Sequence, residues 1–130
     1  QSMTRSEVYD ALRAWLQSHG FDVGYRVQKR FWNELEGTEG ERYLVIQQGG
    51  GGKPDEAITR DYFRFLVLSG QNDSDINEVE DHADAIRQAM IDDYQTECII
   101  SMQPIGGIPA IQTEEGRYLF DISFQTIISR

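Results

Sequence analysis

The most regular alternation of apolar and polar positions lies near the carboxyl end of the chain, between residues 115 and 128. Aromatic or branched apolar residues occupy nearly every second position there, which is the pattern of a β-strand with one buried face. The predicted core-facing set is Tyr118, Phe120, Ile122, Phe124 and Ile128. The opposite side, with Asp121, Ser123 and Gln125 between Leu119 and Ile127, is too polar for a second core and suits water or another protein.

Two segments repeat apolar residues at helical spacing instead. The first is predicted to form a helix from about residue 5 to 18, between a capping box at Thr4 and Glu7 and a terminating Gly20. The second is predicted from about 76 to 93, after a capping pair at Asp75 and Glu78. The apolar stripes are Val8, Leu12, Trp15 and Leu16 in the first helix and Ile76, Val79, Ala83, Ile86 and Met90 in the second.

Three further segments predict strands, because they are rich in β-branched or aromatic residues and lie between turn-forming residues. They span residues 41–48, 60–69 and 97–103, the last ending before Pro104. Residues 21–36 are expected to be irregular with one short edge strand through Tyr25 and Val27, and 105–109 to form a bend. The predicted fold is a single α+β domain over residues 1–130, with a mixed, mainly antiparallel β-sheet and two main helices packed on one face.

A glycine run separates the first two of these strands. Four consecutive glycines lose so much backbone entropy on folding that no regular element is expected between residues 49 and 59. We expect this loop to be mobile in the isolated protein and to contact partners during assembly. The candidate contact residues are Gly49, Gly50, Gly51, Gly52, Lys53, Asp55 and Glu56.

The formal net charge of -10 disfavours direct binding to nucleic acid, whose partners usually gather lysine and arginine on one face. Solubility explains the charge most simply, and an acidic channel lining is the alternative. The sequence shows neither a membrane span nor a signal peptide, which predicts a soluble protein made in the cytoplasm. Cys98 suits a small buried side chain, and Gln1 and Ser2 before Met3 are expected to be a cloning remnant.

The catalytic and metal-binding motifs that we compared with the sequence do not match it in residue type or spacing. The glycine run that ends at Lys53 is not a phosphate-binding loop, because Gln47 and Pro54 replace required residues. The segment from Asp73 to Glu78 lacks the glycine and the final glutamate of a calcium loop. His19 and His82 have no metal-site or triad spacing and are expected at the surface, and Asp92 and Asp93 are expected at a solvated helix end. We therefore predict no enzyme, no cofactor and no metal site.

The order of elements, with the last strand Gly116-Arg117-Tyr118-Leu119-Phe120-Asp121-Ile122-Ser123-Phe124, resembles the tail terminator proteins of long-tailed bacteriophages, the lambda tail terminator among them. The resemblance covers nearly the whole chain. It implies a mixed sheet with helices against it and a hexameric ring of identical copies that caps the tail tube. The implied partners are the tail tube and head-completion proteins, and the implied location is the virion tail, with assembly in the host cytoplasm.

Two alternatives remain open on the sequence. One is another phage neck or head-tail connector protein with similar elements and a different partner. The other is a cytoplasmic small-molecule binding protein or enzyme in which the loop at 49–59 closes over a pocket. Ring formation would favour the phage proteins, and a monomer with a deep polar pocket would favour the small-molecule binder.

Overall fold

A computed structural model describes residues 5–30, 36–37, 40–48, 60–71, 73, 75–93, 99–113 and 116–128. The helices within this part of the chain are α1 (Arg5–Ser18) and α2 (Ile76–Asp92), and the strands are β1 (Tyr25–Lys29), β2 (Arg42–Gln48), β3 (Arg60–Leu68), β4 (Ile99–Pro104), β5 (Ala110–Gln112) and β6 (Tyr118–Ile128). Every helix and strand predicted from the sequence is present, with β1 as the predicted short edge strand. The α+β fold class is confirmed.

Local hydrogen bonds explain where the helices begin and end. The Asp75 carboxylate accepts a hydrogen bond of 3.1 Å from the Glu78 amide and caps α2 as the sequence predicted. At the end of α1, the amides of Gly20 and Phe21 donate to the carbonyls of Gln17 and Leu16. Gly20 has a φ of 74°, so this is a Schellman motif that a residue with a side chain would strain.

The strands form one mixed sheet in the order β1-β2-β3-β6-β4, and β5 pairs with β6. Among the strand pairs of the described residues, β1–β2 alone is parallel; the others are antiparallel, as expected for a mainly antiparallel sheet. The central pair is β3 with β6, in a register that runs from Arg60 opposite Ile127 to Leu68 opposite Leu119. The strand predicted to organise the fold therefore lies inside the sheet.

Both helices cover the same face of the sheet, as predicted. Phe120, Ile122 and Phe124 of β6 are buried there. Trp15 of α1 stacks on Phe65 of β3 with ring centroids 6.2 Å apart. The helix residues buried in this core are Val8, Tyr9, Leu12, Trp15 and Leu16 of α1 and Val79, Ala83, Ile86 and Met90 of α2.

A second apolar cluster lies on the opposite face of the sheet, which we call the outer face. It contains Tyr43, Val45, Leu66 and Leu68, with Leu119 packed against it. The prediction that this side of β6 is too polar for a second core is therefore wrong at the Leu119 end. The neighbouring strand β2 helps to make this face apolar, because its residues 43–46 are buried on both faces of the sheet.

The edge next to β6 contains a strand that the sequence did not predict. β5 pairs only three residues, from Ala110 opposite Phe120 to Gln112 opposite Tyr118, and all three are exposed. β4 includes Pro104, which the sequence placed after the strand. An edge position explains this, since the missing proline N–H is not needed there. Helices long and apolar enough to cross a membrane are absent from the described ranges.

Candidate assembly surfaces

The glycine-rich loop and its candidate residues Gly49 to Glu56 lie outside the described residues, as do Trp32 and Cys98. The structure does fix the two strands that the loop joins. β2 ends at Gln48, β3 begins at Arg60, and Gln48 is opposite Phe63 in the antiparallel register. The loop therefore connects neighbouring strands at one end of the sheet, and its role in contacts stays a prediction.

At the opposite end of the same strands, a buried arginine holds three segments together. Arg117 is fully buried, and its Nη1 donates to the carbonyl oxygens of Glu41 at 2.7 Å and Ser69 at 2.8 Å. Its guanidinium carbon lies 5.1 Å from the centre of the Tyr43 ring, within the range of a cation–π contact. The segments before β2, after β3 and before β6 are thus tied to one side chain. Sequence reasoning did not identify this role, because an isolated arginine beside a turn normally lies in solvent.

An ion-pair network anchors the turn between β3 and α2 to β2. Arg42 donates through Nε to Asp73 at 2.9 Å and through Nη1 to Glu78 at 2.9 Å. Asp73 also accepts from the amides of Gly70 and Asp75. These hydrogen bonds, the one from Arg42 foremost, lower the pKa of Asp73 to about 2. Asp73 is therefore committed to positioning this turn.

The two histidines differ in burial. His19 pairs with Asp93 at 2.9 Å on an exposed surface, as predicted. His82 is half-buried, stacks on the Tyr25 ring at 4.2 Å and hydrogen-bonds the Phe21 carbonyl oxygen, so its prediction as a surface residue is wrong. Burial lowers the pKa of His82 and raises that of Tyr25 to about 12. His82 packs α2 against β1 and has no nucleophile or metal ligand beside it among the contacts described for it.

The middle of the outer face is polar and internally paired. Arg64 donates to Asp121 at 3.3 Å, and the Ser123 hydroxyl donates to the same carboxylate at 3.1 Å. Gln125 of β6 donates to Gln103 of β4 at 2.9 Å. Within the described ranges, no group of three or more histidine, cysteine or acidic side chains could hold a metal ion. The polar side chains of β3, β6 and β4 on this face are thus hydrogen-bonded to one another.

Comparison with known proteins decides between the alternatives. The phage tail termination protein family matches residues 5–130. The chain belongs to this family. It is accordingly a structural protein of the phage tail that joins tail to head.

A solved structure supports the fold of this terminator. A chain of a structure described as the virion of a native gene transfer agent particle aligns with a TM-score of 0.56 at 15% sequence identity. The alignment covers 93% of this chain and 90% of that chain, so the likeness extends over the whole fold. A sequence search of curated proteins gives no match.

Proposed function

We propose that this terminator assembles into a ring of identical subunits, a hexamer as the family resemblance implies, which caps the tail tube and presents a surface to the head. Membership of the phage tail termination family over residues 5–130 is the observation that carries the proposal. The subunit acts without catalysis and without a cofactor, in the host cytoplasm during assembly and in the virion tail afterwards.

The shape of the sheet is suited to such a ring. Its two edges, β1 and the β4–β5 side, are formed by different residues, so each subunit has two unlike lateral surfaces. Contacts between unlike surfaces generate closed rings when the rotation per subunit allows it. The loop at 49–59 supplies a further contact, to a neighbouring subunit or to the tube.

The test is to add the purified protein to tail tubes of the phage or prophage that encodes it. Electron microscopy should show density at one end of each tube, and native mass spectrometry should give the number of subunits. Tubes that remain uncapped at saturating protein would contradict the proposal. Deleting Gly49 to Gly52 should reduce capping while leaving the melting temperature unchanged, since the deletion shortens the loop without removing a core side chain.

A further inference from the structure

The β4–β5 side of the sheet collects exposed apolar side chains. Four large apolar side chains are exposed among the described residues, and two of them, Ile91 at 46% and Ile105 at 42%, lie near Arg87 at this edge. A groove of about 540 Å³ runs between α2 and β4 beside them. We define the edge patch as Arg87, Ile91, Gln103 and Ile105. Exposed apolar side chains gathered in one place indicate an interaction site.

The backbone of this edge is poorly suited to pairing with another strand. In the described sheet, β4 and β5 pair only with β6. Pro104 and Pro109 have no N–H to donate, and the register shifts between Ile99 and Ser101. Such features protect sheet edges from strand addition. A partner must therefore dock mainly through side chains.

The edge patch is held in place by the fold. Arg87 donates through Nη2 to the Gly106 carbonyl oxygen at 3.1 Å and so ties the bend between β4 and β5 to α2. The Ile105 amide donates to the Ser123 carbonyl oxygen at 2.9 Å. Because these bonds fix the bend before any partner arrives, little conformational entropy is lost on docking.

Charge identifies the partner surface. α2 carries five carboxylates and one arginine, and Glu80 and Asp84 share the helical stripe of Arg87 and Ile91. Residues 5–30, which form α1, β1 and their connection, instead carry five basic and three acidic side chains. Arg13, Arg26 and Arg30 are exposed on this second side, as is Val23 at 75%. Arg26 forms an exposed ion pair with Glu41 at 3.0 Å. Because an exposed ion pair contributes little free energy, Arg26 can pair with a carboxylate of another subunit instead.

We infer that the edge patch of one subunit docks against the α1–β1 side of a second copy of this chain, around Val23 and Arg26. This inference rests on the proposed ring and names its lateral contact. The acidic stripe of α2 meets the basic side of the neighbour, and the isoleucines cover Val23. Two edge patches facing each other would bring like charges together, which opposes a two-fold dimer.

Cysteine cross-linking tests which surfaces meet. Ile105→Cys and Val23→Cys are made separately in a Cys98→Ser background and mixed near millimolar concentration with a short bis-maleimide linker. The mixture should give mixed dimers, and Ile105→Cys alone should give few. Asp81→Cys, exposed on another side of α2, replaces Ile105→Cys as the matched control. Absence of mixed dimers, or equal yields from Ile105→Cys alone, would overturn the inference.

A double variant separates this inference from the proposed function. Ile105→Asp with Ile91→Asp should weaken self-association at least tenfold in sedimentation, with an unchanged melting temperature because both side chains are exposed. Unaltered oligomers that still cap tubes would refute the edge contact and leave the proposed function intact. Failure of the wild-type protein to cap tubes would instead refute the proposed function, whatever the cross-links show.

Discussion

Arg117 shows how one buried cation can be accommodated in a small domain. Its guanidinium has two carbonyl oxygens within 2.8 Å and an aromatic ring beside it. These partners inside the protein replace the water that the charged group loses on burial. A planar group with several donors can reach both carbonyls at once, which an ammonium group does less well. The arginine therefore stabilises the strand ends through geometry as well as charge.

Removing that side chain should be costly. We expect Arg117→Met to lower the free energy of unfolding by about 3 kcal/mol, because the carbonyl oxygens of Glu41 and Ser69 lose their donor. Urea unfolding measures the change. Arg87→Met, on the less buried helix surface, is the control and should cost under about 1 kcal/mol. Equal effects of the two substitutions would argue against the clamp.

Gly70 occupies a close approach between two backbone segments. A methyl group there would press on the Gly40 carbonyl oxygen and lie 2.8 Å from the carbonyl carbon. We expect Gly70→Ala to destabilise the protein by about 1 to 3 kcal/mol, since backbone must shift to admit the methyl. Gly107→Ala, with open space around it, should leave the thermal midpoint nearly unchanged. A neutral Gly70→Ala would show that the two turns separate easily.

Asp73 makes the stability of the folded protein depend on pH in the acid range. Its pKa is about 2 in the folded protein against 3.8 in the absence of partners, so the ionised form stabilises the fold. This stability is fully present above pH 3.8 and is lost as the pH falls toward 2; it amounts to about 2 kcal/mol. The unfolding free energies of wild type and Asp73→Asn should differ most near pH 6 and converge on acidification. A constant difference would exclude the Arg42–Asp73 interaction as the cause.

At the level of elements, β6 unites the two cores. Its residues Phe120, Ile122 and Phe124 face the helices, Leu119 packs on the outer-face cluster, and its two sides pair with β3 and with β4 and β5. Phe120→Ala should therefore cost about 3 to 5 kcal/mol, the usual range for truncating a buried phenylalanine. Ile111→Ala, on exposed β5, should cost far less. Thermal unfolding compares them, and an unchanged midpoint for Phe120→Ala would disprove its core position.

For the whole molecule, the net charge of -10 opposes association, whereas the proposed lateral contact brings unlike charges together. Long-range repulsion is screened first, as the Debye length falls from about 30 Å at 0.01 M salt to about 8 Å at 0.15 M. Self-association should therefore strengthen over this range and weaken again toward 1 M, where contact pairs are screened as well. Sedimentation from micromolar to near-millimolar protein checks this. If self-association instead weakens steadily from 0.01 M salt upward, attraction between charges in the contact outweighs the long-range repulsion.

The sequence by itself determined the helices, the main strands, the Asp75 cap of α2 and the end of α1 at Gly20, because each follows from periodicity and from residues a few positions apart. Alternation likewise predicted correctly that Phe120, Ile122 and Phe124 of β6 face the helices. The resemblance to tail terminators, drawn from element order and the last strand, led to the family that the comparison confirmed.

Only the tertiary structure decided the features that depend on distant partners. Arg117 is buried because it meets the Glu41 carbonyl 76 positions away, and no local pattern reports that contact. The second cluster forms because β2 and β3 add apolar residues beside Leu119. β5 exists as a strand because β6 pairs with it, since three exposed residues between turns have no periodicity of their own. Likewise, the half-burial of His82 follows from the packing of β1 against α2, which brings the Tyr25 ring onto the imidazole.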